Sequence, residues 1–211
     1  MMSTDSPQAK PLSNKAQQIL NGAMQEFLTH GYAGTSMDRV AATAGVSKAT
    51  VYSHFGDKQG LFTALVQRLA QKKFTRLFAS SEQFPTHDLR EVLQNMANTM
   101  LDNLIEDTDY QNFIRLMIAE SGRFPELAQT FALHLAKPGI ETVTRHLSSF
   151  KELNLPDPEA TARIWIGALV HYMIVQEMLQ GKDIMPMERD RLVDAMLHLL
   201  STKKNGIAEK E

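Results

Sequence analysis

The stretch from Thr35 to Phe55, TSMDRVAATAGVSKATVYSHF, decides how the chain is read. It describes two short helices joined by a turn at Ala44-Gly45-Val46. Thr35 or Ser36 can cap the first helix by accepting hydrogen bonds from N–H groups that have no partner inside it. Val40, Ala41 and Ala44 form one narrow apolar stripe, and its small residues let another helix come close. Gly45 falls where the first helix must end with a positive φ, which glycine adopts without a steric penalty. Ser47 can cap the second helix, and Val51 and Phe55, four apart, give it a buried face. Its other face carries Lys48, Thr50, Tyr52, Ser53 and His54, all able to donate hydrogen bonds. A glycine turn between two helices, the second short and rich in donors, is a helix-turn-helix pattern.

Upstream, Ala16, Ile19, Leu20, Ala23, Met24, Phe27 and Leu28 recur at helical spacing, predicting a helix from Ser13 or Asn14 to His30. Gly31 ends it and Tyr32 folds back as an apolar anchor, while residues 1–12 read as a polar arm. Downstream, Gly56-Asp57 closes the second motif helix and starts a long fourth helix, Lys58 to about Leu77. Its apolar stripe is Leu61, Phe62, Leu65, Val66 and Leu69, continued by Phe74, Leu77 and Phe78. A turn at Phe84-Pro85-Thr86 precedes a fifth helix, Leu89 to Ile105; Asp107 to Asp109 interrupts the pattern, and Phe113 to Ser121 resumes it. A helical stretch from Pro125 to about Phe150 should kink or split at Pro138-Gly139, where proline removes a hydrogen bond. Helices from Glu159 to about Gln180 and from Pro186 to Thr202, then a polar tail from Lys203, complete the chain. No alternating strand pattern occurs. The expected fold is all-α with about nine helices. A three-helix unit, residues 13–73 with its helix-turn-helix at 36–55, joins through helix four to a helical region at 74–205.

Composition bounds the function. With 211 residues the chain can bury a real core. It has no cysteine, which removes disulfides, thiolate catalysis and Cys-zinc sites. The seven histidines include no pair three or four apart, so no helix offers a His-His clamp, and no metal is expected. No Walker loop, dinucleotide fingerprint or nucleophile elbow is present, so neither an enzyme nor a cofactor is expected. No apolar run approaches the roughly 20 residues of a membrane span, and MMSTDSPQAKPLSNK lacks the apolar core of a signal peptide. A cytoplasmic protein is the expectation. A net charge of −2 does not by itself advertise nucleic acid; any such case rests on the local pattern.

The order of these helices, and the string GVSKATVYSHFGDKQGLF from Gly45 to Phe62, resemble the TetR family of bacterial transcriptional regulators. The likeness is close over about residues 13–65, and RLMIAESGRFPELAQTF, Arg115 to Phe131, is similar to the branch that includes multidrug-efflux repressors (AcrR-like). The resemblance implies a homodimer on a palindromic double-stranded DNA operator, with a small-molecule effector in the C-terminal region. It implies a phosphate contact from Thr35 at the start of helix two, flanked by Ser36. Ser47, Lys48, Ala49 and Thr50 would lie nearest the base edges. Tyr52, Ser53 and His54 would hold phosphates or sugars, and Lys58 a phosphate. His54 alternatively packs over its helix end, and the whole polar face could simply be solvated. Ala49 departs from the glycine frequent there, and its methyl could touch a thymine methyl.

Apolar and polar residues on the later helices suggest an effector pocket from Met96, Met100, Phe113, Met117, Phe131, Trp165 and Tyr172, unless these are ordinary core. Glu120, His134 and His171 are polar groups on otherwise apolar helices, which find a buried partner, face solvent or bind ligand. Ile164, Ala168, Leu169 and Gln176, with Leu192, Met196, Leu199 and Leu200, form two broad apolar faces that could pair across a two-fold axis or be buried within one subunit. Rival readings are an activator, a regulator answering to a protein partner, and a helical enzyme or carrier with a vestigial motif.

Overall fold

The computed structural model describes residues 12–81 and 88–201, with the side chains of 74–81 and 201 left aside. The expected arm before Leu12, the turn at Phe84-Pro85-Thr86, the tail from Lys203 and the side chains of Phe74, Leu77 and Phe78 lie outside the described residues. Those residues form ten α segments and no strand. They are α1 (Asn14–Gly34), α2 (Met37–Thr43), α3 (Lys48–Phe55), α4 (Lys58–Ser81) and α5 (Leu89–Ile105). Then follow α6 (Thr108–Glu120), α7 (Pro125–Phe131), α8 (Lys137–Ser149), α9 (Pro158–Tyr172) and α10 (Arg189–Ser201). Segments α7 and α8 are one rod joined through a π turn, Ala132–Ala136, so the described residues make nine helices. None of them is long and apolar enough to cross a membrane.

Local chemistry sets the boundaries in the N-terminal part. Ser13, Ser36 and Ser47 cap α1, α2 and α3, accepting from the N–H groups of Ala16, Arg39 and Thr50. Gly31, at φ 69° and ψ 175°, breaks α1, and the last residues of that segment form a separate turn. The α2 end is a Schellman cap: Gly45 N–H bonds to Ala42 C=O at 3.1 Å and Val46 N–H to Ala41 C=O at 3.0 Å, with Gly45 at φ 63°. Residue 45 must therefore tolerate the left-handed region.

Elsewhere the expected boundaries move for identifiable reasons. Helix α6 begins at Thr108, five residues before the expected Phe113, because the Asp107 side chain accepts from Tyr110 N–H at 3.1 Å and so caps the helix. What read as an interruption is a start signal. The stretch from Pro125 is divided near Pro138, as expected, but by a π turn and not by loss of the helical path. In that turn the N–H of Lys137 bonds five residues back to Ala132 C=O, and Pro138 then falls in a first helical turn, where no internal acceptor is needed. A second π turn, Met173–Met178, continues α9; within it the buried Gln176 donates to Met185 C=O at 2.8 Å. Helix α10 starts at Arg189, three residues after the expected Pro186, and the Arg189 guanidinium grips Asn98 and Asp102 of α5.

Two apolar clusters hold the fold. The first joins α1–α4 to α6, α7 and Met173, around the fully buried Phe27, Phe62 and Phe113. Ring centroids 5.1–5.6 Å apart link Phe27, Tyr32, Phe62, Phe113 and Phe124 into one aromatic chain. The second cluster packs α5, α8, α9 and α10 around Leu101, Leu147, Leu169 and Trp165. The helix-turn-helix therefore shares its core with later helices, as expected for three helices too small to be stable alone.

Ionic contacts pin α4 to the α5–α6 corner. The Asp107 carboxylate, 3 % exposed, lies 3.0 Å from Lys72 Nζ and 3.2 Å from Lys73 Nζ. Burial opposes its ionisation, but Lys72, the Tyr110 N–H and Lys73 outweigh that cost and hold its pKa below the ordinary 3.8. A depressed carboxyl pKa contributes stability at neutral pH that is lost as the pH falls through the lowered value. Asp107→Asn keeps a competent cap but removes the charge. It should cost about 2 kcal/mol in urea unfolding at neutral pH, and the gap from wild type should close below pH ~3.8.

Candidate nucleic-acid interface

Helix α3 presents the face that the sequence led one to expect. Val51 is fully buried and Phe55 half-buried, which roll the opposite side outward. Ser47, Lys48, Ala49, Tyr52, Ser53 and His54 are exposed and Thr50 is half-buried. These polar groups are already organised among themselves. Ser47 Oγ and Thr50 Oγ1 lie 2.7 Å apart, and Ser53 Oγ donates to Thr50 C=O at 2.9 Å. His54 Nδ1 lies 2.9 Å from the same carbonyl, which can only accept, so the proton is assigned to Nδ1. Lys48 Nζ sits 2.7 Å from Asp38 of α2, whose hydrogen bond and charge raise the lysine pKa; both side chains are well exposed. Exposed pairs of this kind are weak, so Lys48 can exchange Asp38 for a phosphate at little cost.

Two residues expected to meet phosphates, Thr35 and Lys58, have their donors engaged inside the chain, which turns them from that contact. Thr35 is 3 % exposed and its hydroxyl donates to Gly31 C=O at 2.8 Å, while the neighbouring Ser36 is exposed and caps α2. Lys58 is half-buried: its ammonium donates to Tyr32 C=O at 2.8 Å and Thr35 C=O at 3.1 Å, and sits 4.4 Å from the Tyr32 ring centroid. Burial lowers the Lys58 pKa, with the charge of Glu120 pulling the other way. The first turn of α4 thus clasps the carbonyls that precede α2. Lys58 ties α2 and α3 to the rest of the chain.

A cavity of about 130 Å³ lies between α4, α5, α6, α8 and α9. Its walls include Met100, Leu104, Tyr110, Val143, Ile166 and Leu169, with Lys73 and Asn103 supplying polarity. Lys73 Nζ donates to Asn103 C=O and lies 4.1 Å from the Tyr110 ring centroid. Of the expected pocket residues, Met100 alone is among this cavity's lining. Phe113 and Met117 belong to the first core cluster and Trp165 to the second; Met96, Phe131 and Tyr172 pack half-buried on these clusters. His171 is exposed, His134 lies 3.5 Å from Gln67 Nε2, and Glu120 accepts from the Tyr32 N–H. Sequence did hold a signal for Lys73, which falls four residues after Leu69 on the apolar side of α4.

The expected dimer residues divide as helical geometry dictates. Leu169, Gln176 and Met196 face inward and are buried; Ala168, Leu192 and Leu200 are half-buried against the second cluster. Ile164 and Leu199 are 70 % and 72 % exposed. Along α9, Ile164, Gly167 and His171 share one exposed strip, and a Cβ added at Gly167 would meet nothing within 4 Å.

Comparison with known proteins agrees with this geometry. Residues 19–65 match the family model described as bacterial regulatory proteins, tetR family. Residues 91–201 match the C-terminal domain of AefR-like transcriptional repressors, which covers more than half of the chain. The chain belongs to the TetR family. Its members are transcriptional regulators, not enzymes. Among relatives, the HTH-type transcriptional repressor AcnR of Corynebacterium diphtheriae is 35 % identical over 85 residues, 40 % of this chain and 41 % of that protein. The chain therefore matches about two fifths of that relative's length. Among solved structures, the flavonoid-responsive regulator FrrA superposes with a TM-score of 0.72 at 27 % identity, over 88 % of this chain and 94 % of that one. FadR of Bacillus subtilis in complex with stearoyl-CoA superposes with a TM-score of 0.68 at 18 % identity, over 90 % and 99 %, a likeness of fold.

Lys48 and Lys58 should separate in salt titrations of DNA binding. Lys48→Ala should reduce the slope of log K against log salt by about 0.9, the release of one counterion. Lys58→Ala should leave the slope unchanged while lowering urea stability by about 2 kcal/mol, because the carbonyls of Tyr32 and Thr35 lose a charged donor.

Proposed function

We propose that the protein is a homodimeric, sequence-specific repressor that leaves its operator when a small apolar or amphipathic molecule occupies the cavity beside α4. Residues 13–73 are the reading unit and residues 74–205 the effector and dimerisation unit. In this reading Ser47, Ala49 and Thr50, at the α3 N-terminus, face base edges, and Lys48 among them leaves Asp38 for the adjoining phosphate. Ser36, Tyr52, Ser53 and His54 hold the backbone on either side. Two such helices in a dimer enter successive major grooves about 34–36 Å apart on a palindromic site. The protein acts in the cytoplasm, where its DNA is, without a membrane.

One observation carries the ligand-release reading: Lys73 in the cavity wall and Lys58 at the clasp on the reading helices belong to the same helix, α4. A cavity of about 130 Å³ is smaller than the several hundred Å³ of sites for drug-sized ligands. A ligand larger than this space that enters between the helices displaces a wall, and α4 is one of the walls. Ligand then binds the displaced state better than the DNA-bound state, the differential affinity that any such switch requires. The FrrA name and the FadR complex support flavonoids and long acyl chains as the first probes.

The test begins with selection of bound fragments from the source genome, followed by gel shifts on an enriched duplex. Naringenin or dodecanoate should raise the dissociation constant at least tenfold; release without any change in α4 amide exchange would overturn the mechanism. A reporter driven by the same duplex gives the sign, with higher expression on deleting the gene for a repressor and lower for an activator. The exposed α9 strip supports dimerisation through α9 and α10. Ile164→Arg should halve the mass seen by light scattering and weaken operator binding by about a hundredfold, because each half-site then binds alone.

A further inference from the structure

Glu120, like His134 and His171, belongs neither to the core nor to the lining of the cavity, but it alone of the three reaches the Gly31–Tyr32 segment. It is the last residue of α6, and its Oε1 accepts from the backbone N–H of Tyr32 at 3.1 Å, across 88 residues of sequence. That N–H needs such a partner. The break at Gly31 removes the helical acceptor it would otherwise use, and Tyr32 is only 7 % exposed. Gly31 also makes the approach possible, since a Cβ there would come within 2.7 Å of Glu120 Oε1. On the other side of the same residue, Tyr32 C=O accepts from Lys58. The peptide units that lead into α2 are thus held between a carboxylate from α6 and an ammonium from α4.

Both helices run from this point to the cavity. Tyr110 and Glu120 stand at opposite ends of α6, about 15 Å apart, and Lys73 and Lys58 on α4 about 22 Å apart, at 1.5 Å per residue. Tyr110 and Lys73 line the cavity and touch each other there. We propose that Glu120 is a positioning residue for DNA reading: from the end of α6 it sets the Tyr32 peptide, so that the state of the cavity reaches the helix-turn-helix through α6 as well as through α4. The proposal rests on the DNA-binding reading above and adds a second route of coupling to it.

Coupling between two sites is reciprocal, so the route can be read without an effector. The probe is a duplex that the wild-type protein selects from a random pool. Amide exchange of α6, followed by NMR on the full-length protein with and without that duplex, should slow at Tyr110 to Met117 in the wild type. Glu120→Ala should lose that response and bind the duplex about tenfold more weakly, the effect of one charge-assisted hydrogen bond. Glu120→Gln, whose amide oxygen still accepts, should keep the response and stay within about threefold of wild-type affinity. A residue that merely stabilises the fold would change affinity and melting temperature but not the α6 response. Wild-type affinity and response in Glu120→Ala overturn the proposal. If Glu120→Ala does not fold, the Tyr32 amide of the wild type decides: slow exchange supports the latch, and exchange as fast as an open loop overturns it. If no duplex is enriched, the DNA-binding reading fails on its own, while Tyr32 exchange still reports whether the latch exists.

Discussion

The molecule depends on how one peptide segment, Gly31–Tyr32, is held where α1 stops and the reading helices begin. Tyr32 is stacked on Phe27 and met edge-on by Phe62 and Phe124, so its side chain locks the segment into the first core cluster. Its backbone is then left with a donor and an acceptor at a buried helix break, where unpaired groups are costly. Glu120 satisfies the one and Lys58 the other. Because these partners come from α6 and α4, satisfying two backbone groups also fixes the reading helices against the rest of the chain.

That arrangement explains why the helix-turn-helix has no core of its own. Val40, Ala41, Ala44 and Val51 pack into the cluster that contains Phe113, Ile114 and Met117 of α6. A shift of α6 or α4 therefore cannot be absorbed in a flexible linker; close-packed interiors pass displacement on. The cavity lies at the far ends of these helices, and the Asp107 ion cluster sits beside it, tying α4 to the α6 N-cap. Under the proposed mechanism, a ligand that changes how α4 and α6 separate at the cavity acts on the Tyr32 segment, which both helices hold.

Legibility in the sequence varied with the range of the interaction involved. Capping by Ser36 and Ser47, the Gly31 break and the Gly45 Schellman turn depend on a few neighbouring residues, and the string from Gly31 to Phe55 displays them. The exposed face of α3 was equally legible, because Val51 and Phe55 orient a helix of eight residues without help. Thr35 and Lys58 were not: both are polar and sit where surface donors belong, yet each satisfies a carbonyl brought to it by the Gly31 break. Pocket residues were the least legible. Met, Phe and Trp on an inner helix face look the same whether they fill a core or border a void, and which occurs depends on how neighbouring helices are spaced.

The sequence by itself determined the all-α class, the order of the helices, the helix-turn-helix and the resemblance to the TetR family, because helical periodicity, caps and glycine turns are local constraints. Only the tertiary structure decided that Lys58 clasps backbone carbonyls, that Leu169 and Met196 are core while Ile164 and Leu199 are surface, and that Glu120 partners Tyr32. Each of those outcomes depends on which groups long-range packing brings within bonding distance, and the residues concerned lie as many as 88 positions apart in the chain.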